Sequence, residues 1–199
     1  IDGTSAYFIN IPSGLSGNPA NNLVIGDNAG NALTDGHSNV LIGHDAGSSI
    51  TTADYAVCLG VEAGLSHTSN GDAIYIGYRA GQNANSSNTV VVGARALDAL
   101  VGSWNSHCVM GEESCTATTS KNEHHAFGFQ TLRAQTSGQR NSAFGSEVME
   151  LLTTGEDNSA FGHNAADKLT GDQNTIIGSS AGSSGTNDLT SGDNNTIIG

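Results

Sequence analysis

One phrase governs this chain. Two residues, a large apolar residue and a glycine recur as LVIG, VLIG, VCLG, IYIG, VVVG, CVMG, HAFG, SAFG, SAFG, TIIG and TIIG. The glycines are Gly26, Gly43, Gly60, Gly77, Gly93, Gly111, Gly128, Gly145, Gly162, Gly178 and Gly199, at successive spacings of 17, 17, 17, 16, 18, 17, 17, 17, 16 and 21. A repeat this regular fixes the architecture before any local reading, because each unit rests chiefly on its neighbours. A short β-branched segment followed by a Gly-rich turn suits one coil of a β-solenoid. A helical repeat would need longer apolar stretches at a period near 3.6 and would be interrupted by 27 glycines in 199 residues. The expected fold is therefore all-β: a parallel β-roll of ~17-residue coils stacked at ~4.8 Å. Residues 22–199 form the solenoid, about eleven coils, and residues 1–21 an atypical N-terminal capping or linker segment.

Counting from each anchor glycine, column −1 holds Ile25, Ile42, Leu59, Ile76, Val92, Met110, Phe127, Phe144, Phe161, Ile177 and Ile198. All are large and apolar, so this column is expected to form the core. Column +3 is small (Ala29, Ala46, Ala63, Ala80, Ala96, Ser114, Thr131, Val148, Ala165, Ala181) and is read as a second inward position. Column −2 is also apolar: Val24, Leu41, Cys58, Tyr75, Val91, Val109, Ala126, Ala143, Ala160, Ile176 and Ile197. Side chains alternate across a strand, so columns −1 and −2 face opposite ways, and a strand apolar on both faces is buried on both. Column −2 is accordingly expected to be the interface of a parallel homo-oligomer, since one thin solenoid covers only one face of its strands.

Thr-x-Gly-x-x-Asn recurs between the phrases as TDGHSN, TSGQRN, TTGEDN and TSGDNN, with TGDQN one residue shorter. Gly and Asn tolerate positive φ, which makes these turns. Column +2 places Glu62 over Arg79 and Arg95 beside Glu113, and column −5 places Glu123, Arg140 and Asp157 in a similar ladder.

Composition narrows the partners. A net charge of −13 offers no basic stripe to neutralise phosphates, so nucleic acid is not an expected partner. No apolar run approaches the ~20 residues of a membrane-spanning helix, so insertion in a bilayer is not expected either. Cys58, Cys108 and Cys115 lack metal-finger spacing and are read as small apolar side chains. The chain starts at Ile1 without a methionine and stops on a repeat anchor, which suggests a fragment or a processed product.

The phrases NNTIIG and NSAFG with their TxGxxN turns resemble the NTAIG-like tandem repeats of phage tail fibres and related trimeric fibres. They are also similar to the β-roll heads of trimeric autotransporter adhesins, whose repeats are shorter. The resemblance covers residues 22–199 and departs from the pattern at 108–125, with CVMGEESC and HHAFG. It implies a homotrimer, an extracellular location on a virion tail fibre or cell surface, and a non-enzymatic structural role. The function expected on this basis is the shaft or distal part of a receptor-binding fibre that attaches to a host-cell glycan or other receptor. The alternatives are a bacterial adhesin or extracellular filament subunit, and a fibre-borne polysaccharide depolymerase.

Candidate chemistry is sparse. Glycoside hydrolysis would need two carboxylates facing across a cleft, but Glu112 and Glu113, Glu147 and Glu150, and Glu156 and Asp157 all lie in columns that are polar over many coils. No nucleophile elbow, phosphate-binding loop or HExxH is present. Neither a catalytic set, a cofactor nor a metal is expected. His107 and His124 share a column one coil apart, with Cys108 and His125 in the next, but alternation splits these four between two faces. The expected ligand-contact patch is Trp104, Asn105, His107 and His124, around the one 18-residue coil and the only tryptophan.

Overall fold

The computed structural model describes residues 21–69, 71–100, 106–119, 123–183 and 191–199. The capping segment expected at residues 1–21 lies almost wholly outside them, as do Trp104 and Asn105. The described residues are all-β and form a β-solenoid with one strand per repeat. The strands are β1 (Leu23–Ile25), β2 (Val40–Ile42), β3 (Val57–Leu59), β4 (Ala73–Ile76), β5 (Thr89–Val92), β6 (Cys108–Met110), β7 (His125–Phe127), β8 (Ser142–Ser146), β9 (Ser159–His163), β10 (Thr175–Ile177) and β11 (Thr196–Ile198). They make a single parallel sheet in chain order. Pairing never slips: Val24 lies beside Leu41, Leu41 beside Cys58, and so on to Ile176 beside Ile197. Ten inter-strand steps of ~4.8 Å give the sheet a length of ~48 Å.

The anchor glycine is required twice over. Gly60 has φ +133°, outside what a side chain tolerates, and a Cβ there would lie 2.5 Å from the Gly77 carbonyl oxygen of the next coil. Glycines stacked on glycines let the backbone turn away from the sheet while the coils stay in hydrogen-bonding contact, as in Gly60 N–H to Ile42 O at 2.8 Å.

Inside the coil, column −4 supplies an asparagine ladder. Asn39 donates through Nδ2 to Ala53 O and accepts the Ala56 N–H on Oδ1, both at 2.8 Å. Asn141, Asn158 and Asn174 repeat the motif, each Oδ1 accepting the backbone N–H of the next, and Asn195 closes the ladder by donating to Asn174 Oδ1. The conserved geometry of the TxGxxN turn thus comes from its last residue turning inward, where it satisfies backbone groups that the turn would otherwise strand. The Thr hydroxyl at the start of the turn donates to the neighbouring coil, as in Thr34 to Thr51 O at 3.0 Å.

The two apolar columns face opposite ways, as alternation requires, but their assignments are reversed. The expected interface residues Val24, Leu41, Tyr75, Val91, Val109, Ala126, Ala143, Ala160 and Ile176 are buried inside the coil, and Ile197 packs against that core partly buried. The expected core residues point outward: Ile25, Ile42, Ile76, Phe127 and Phe144 are half-buried, while Leu59, Met110, Phe161 and Ile177 are 40–44% exposed. The reason is volume. A 17-residue coil encloses little space, already shared by the buried columns +3, +4 and +7. Column −1 is bulky in every coil, whereas column −2 shrinks to alanine where its neighbours grow. The expectation for column +3 holds: from Ala29 to Ala181 it is buried throughout.

Candidate interaction surface and the buried histidine pair

The outward face of the sheet is built from columns −3 and −1. In β1–β5 the two columns are aliphatic: Leu23 and Ile25, Val40 and Ile42, Val57 and Leu59, Ile74 and Ile76, Val90 and Val92. Val61 and Tyr78, at column +1, widen the patch beside β3 and β4 and are 41% and 45% exposed. From β7 onward column −3 becomes polar (His125, Ser142, Ser159, Thr175, Thr196) while column −1 stays apolar. Among these twenty-two positions none is Asp, Glu, Lys or Arg, in a chain that carries 19 acidic and 6 basic residues.

Three phenylalanines form a ladder on this face. Phe127 and Phe144 stack at 4.7 Å between centroids and 5° between planes, and Phe144 and Phe161 at 4.6 Å and 2°. Both faces of Phe144 are covered by its neighbours, so the ring presents its edge outward. A sugar ring stacks on an aromatic face, and Phe144 has none to offer. The ladder is a packing ridge.

Carboxylates in columns +2, +5, −5 and −6 form ion pairs that join coils beside this face, while Asp27 and Glu112 stand at its edge in column +1. Glu62 accepts from Arg79 Nε at 2.8 Å and from Gln82 Nε2 at 2.5 Å, and Arg79 also lies 5.0 Å from the centre of the Tyr78 ring. Glu113 pairs with Arg95 and accepts from Gln130 at 2.7 Å, Glu150 pairs with Arg133, and Arg140 bonds Asp157 with Glu156 alongside. The hydrogen bond from Gln130, with Arg95 nearby, holds the Glu113 carboxyl below its ordinary range, and Arg140 does the same for Asp157. The stacking of Glu62 on Arg79 and of Arg95 on Glu113 is as the sequence columns indicate. Glu113, Glu150, Glu156 and Asp157, weighed above as catalytic carboxylates, serve as partners of arginine.

His107 and His124 occupy column −4, the column that carries the asparagine ladder at Asn39 and from Asn141 to Asn195. Their rings lie 5.7 Å apart, tilted by 35°. Both are buried, and none of their four ring nitrogens has a hydrogen-bond partner. Burial, reinforced by the charge of neighbouring histidines, pushes His107 down to about 4 and His124 to about 3, so both are neutral at pH 7. This corrects the expected ligand-contact patch: two of its members, His107 and His124, point into the coil, and the other two, Trp104 and Asn105, lie outside the described residues. The error has the same source as the exchanged columns, since −4 and −2 share a face. His125 is the exposed histidine of this group, and Cys108, its neighbour across β6 and β7, is half-buried on the outward face. No group of three or more His, Cys, Asp or Glu is placed to hold a metal ion among the described residues.

The interior polar positions went unread because His, Thr and Gln look like surface residues. Thr118 and Gln135 share column +7 with Leu33, Ile50, Leu100, Leu152 and Leu169, all buried. The run of apolar residues in that column was the available signal.

Comparison with protein-family models, with curated proteins and with solved structures finds no match.

Proposed function

We propose that the chain is a shaft segment of an extracellular homotrimeric fibre, non-enzymatic, whose work is mechanical reach and attachment to a host-cell surface glycan or other receptor. The observation that carries this reading is the unbroken in-register stack of β1 to β11, which makes an elongated element of ~48 Å whose length scales with the number of repeats. Such a stack spends its sequence on turn geometry and inter-coil pairing, which is what a spacer requires. The resemblance of its NTAIG-like phrases to phage tail fibres points the same way and supplies the trimer.

The reading is tested with the purified chain. Light scattering should give three times 20.2 kDa, small-angle scattering an elongated particle, and labelled protein should bind intact bacterial cells or an immobilised glycan. A compact particle, or release of oligosaccharides from a capsular polysaccharide by the protein alone, would overturn it.

A further inference from the structure

We propose that the outward face of the sheet is the seam between copies of this chain, and that the copies lie parallel and in register. The proposal deepens the fibre reading above and rests on it for the presence of several copies; which face meets, and in which direction, is argued from the structure.

Size is the first argument. The face runs ~48 Å along the solenoid and ~13 Å across columns −3 to +1, or about 600 Å² in projection. That is at the top of what a monomer leaves exposed. Two such faces bury about 1,200 Å², which enters the range of specific, stable interfaces.

Charge is the second. A chain of net charge −13 repels its own copies, yet columns −3 and −1 are free of Asp, Glu, Lys and Arg from β1 to β11. The charged side chains stand to the side, in the Glu62–Arg79 and Arg140–Asp157 pairs. The middle of the face is cleared of charge along its whole length, with Asp27 and Glu112 at its edge in column +1, and an uncharged middle with a polar rim suits a second copy of the same face.

The direction follows from the division of the face. Antiparallel copies would lay the aliphatic pairs of β1–β5 on the hydroxyls of Ser142, Ser159, Thr175 and Thr196, taking water from those hydroxyls and giving nothing back. Parallel copies in register set hydroxyl opposite hydroxyl, each able to donate and accept, and keep the aliphatic halves and the phenylalanine ladders together.

Cross-linking through one introduced cysteine, in a Cys108→Ser background that retains only the buried Cys58 and Cys115, decides the matter. Ile42→Cys lies on β2 and Ile177→Cys on β10, eight strand steps or ~38 Å apart. Mild oxidation should link each variant to itself, in at least half of the chains, and should not link the two when they are co-refolded. Separately, Ile76→Asp should weaken association at least tenfold while leaving the circular dichroism of the folded chain unchanged. Cross-linking only in the mixture overturns the parallel register. An oligomeric mass with no cross-link in any combination overturns the seam and leaves the fibre reading standing. A folded monomer at all concentrations, or one that sediments with phosphatidylcholine vesicles, overturns the seam as well, the latter by giving the face to lipid.

Discussion

Acid should unfold this molecule from its middle. In the unfolded chain His107 and His124 titrate near ~6.5. In the folded one, burial holds them neutral down to about 4 and about 3. Their folded values are depressed and their neutral forms favoured, so the unfolded state binds protons that the native state refuses. Stability is therefore fully present above ~6.5 and is lost as the pH falls through the folded values. Each proton taken up on unfolding is worth about 1.4 kcal/mol per pH unit, so two histidines approach about 3 kcal/mol per unit below pH ~6. Two units of acidification would remove about 5 kcal/mol, comparable to the entire stability of a marginal domain. Carboxylates that pair with arginine, such as Glu113 and Asp157, lose stability in the same direction, but only below ~4.5.

The window from pH 6.5 to pH 5 thus isolates the histidines. The assay is urea unfolding followed by circular dichroism at fixed protein concentration across that window, with hydrogen exchange to locate the opening at residues 106–119 and 123–141. The control is His124→Asn. An asparagine there can continue the ladder, offering Oδ1 to the Asn141 N–H and Nδ2 to Gly138 O, as Asn39 does with Ala56 and Ala53. It should remove one histidine's share of the acid slope without loss at pH 7. A stability that is flat from pH 6.5 to pH 5, or a slope that His124→Asn leaves unchanged, would show that the pair is not buried as described.

Further substitutions probe the stack itself. Gly60→Ala should cost about 3 kcal/mol or more, from a forbidden φ and a Cβ against the Gly77 carbonyl, lowering Tm by roughly 6–12 °C; Gly199→Ala, whose Cβ meets nothing within 4 Å, should be silent, and equal melts would refute the role of the glycine stack. Ala143→Arg places a charge inside the coil and should prevent folding, whereas Ser142→Arg, one residue away on the outward face, should keep the β spectrum; soluble, folded Ala143→Arg would mean that the faces are wrongly assigned. Cys58 and Cys115, buried with thiols pushed up to about 12, should resist iodoacetamide at pH 8 in the native state, and mass spectrometry that finds either alkylated before unfolding would contradict their burial.

Much of this architecture is written in the chain. The eleven glycine phrases coincide with β1 to β11 one for one, and the register they imply is the register observed, down to Arg79 on Glu62. Spacing alone carries that information, because a parallel stack allows one alignment of identical phrases. The direction of each side chain is harder. Alternation states that Ile42 and Leu41 oppose each other, and both are apolar, so composition does not choose between them. The asparagine at the end of TxGxxN misleads for a similar reason: a turn residue and an interior ladder residue have the same sequence signature, and only the hydrogen bonds of Asn39 and Asn158 tell them apart. The ligand-contact assignment of His107 and His124 then failed along with the face on which it depended.

A signal that settles the direction was nevertheless present in the single sequence, in the volumes six residues apart. Where column −2 holds Leu41, Cys58 or Tyr75, column +4 holds Gly47, Gly64 or Gly81. Where column −2 contracts to Ala126 and Ala143, column +4 expands to Leu132 and Met149, although Ala160 is matched by Ala166. The structure shows why: a Cβ on Gly64 would lie 2.7 Å from both Cys58 Sγ and the Tyr75 ring. Interiors are close-packed, so two positions that share an interior must trade volume, while two that do not are free to vary separately. Column −1 trades with nothing, running from Ile76 through Met110 to Phe144 with no small partner to match. Compensation of this kind needs no relatives to detect it, because a repeat protein samples the same site once per coil. The coils act as their own alignment, and the column whose bulk goes uncompensated is the one that faces out of the coil.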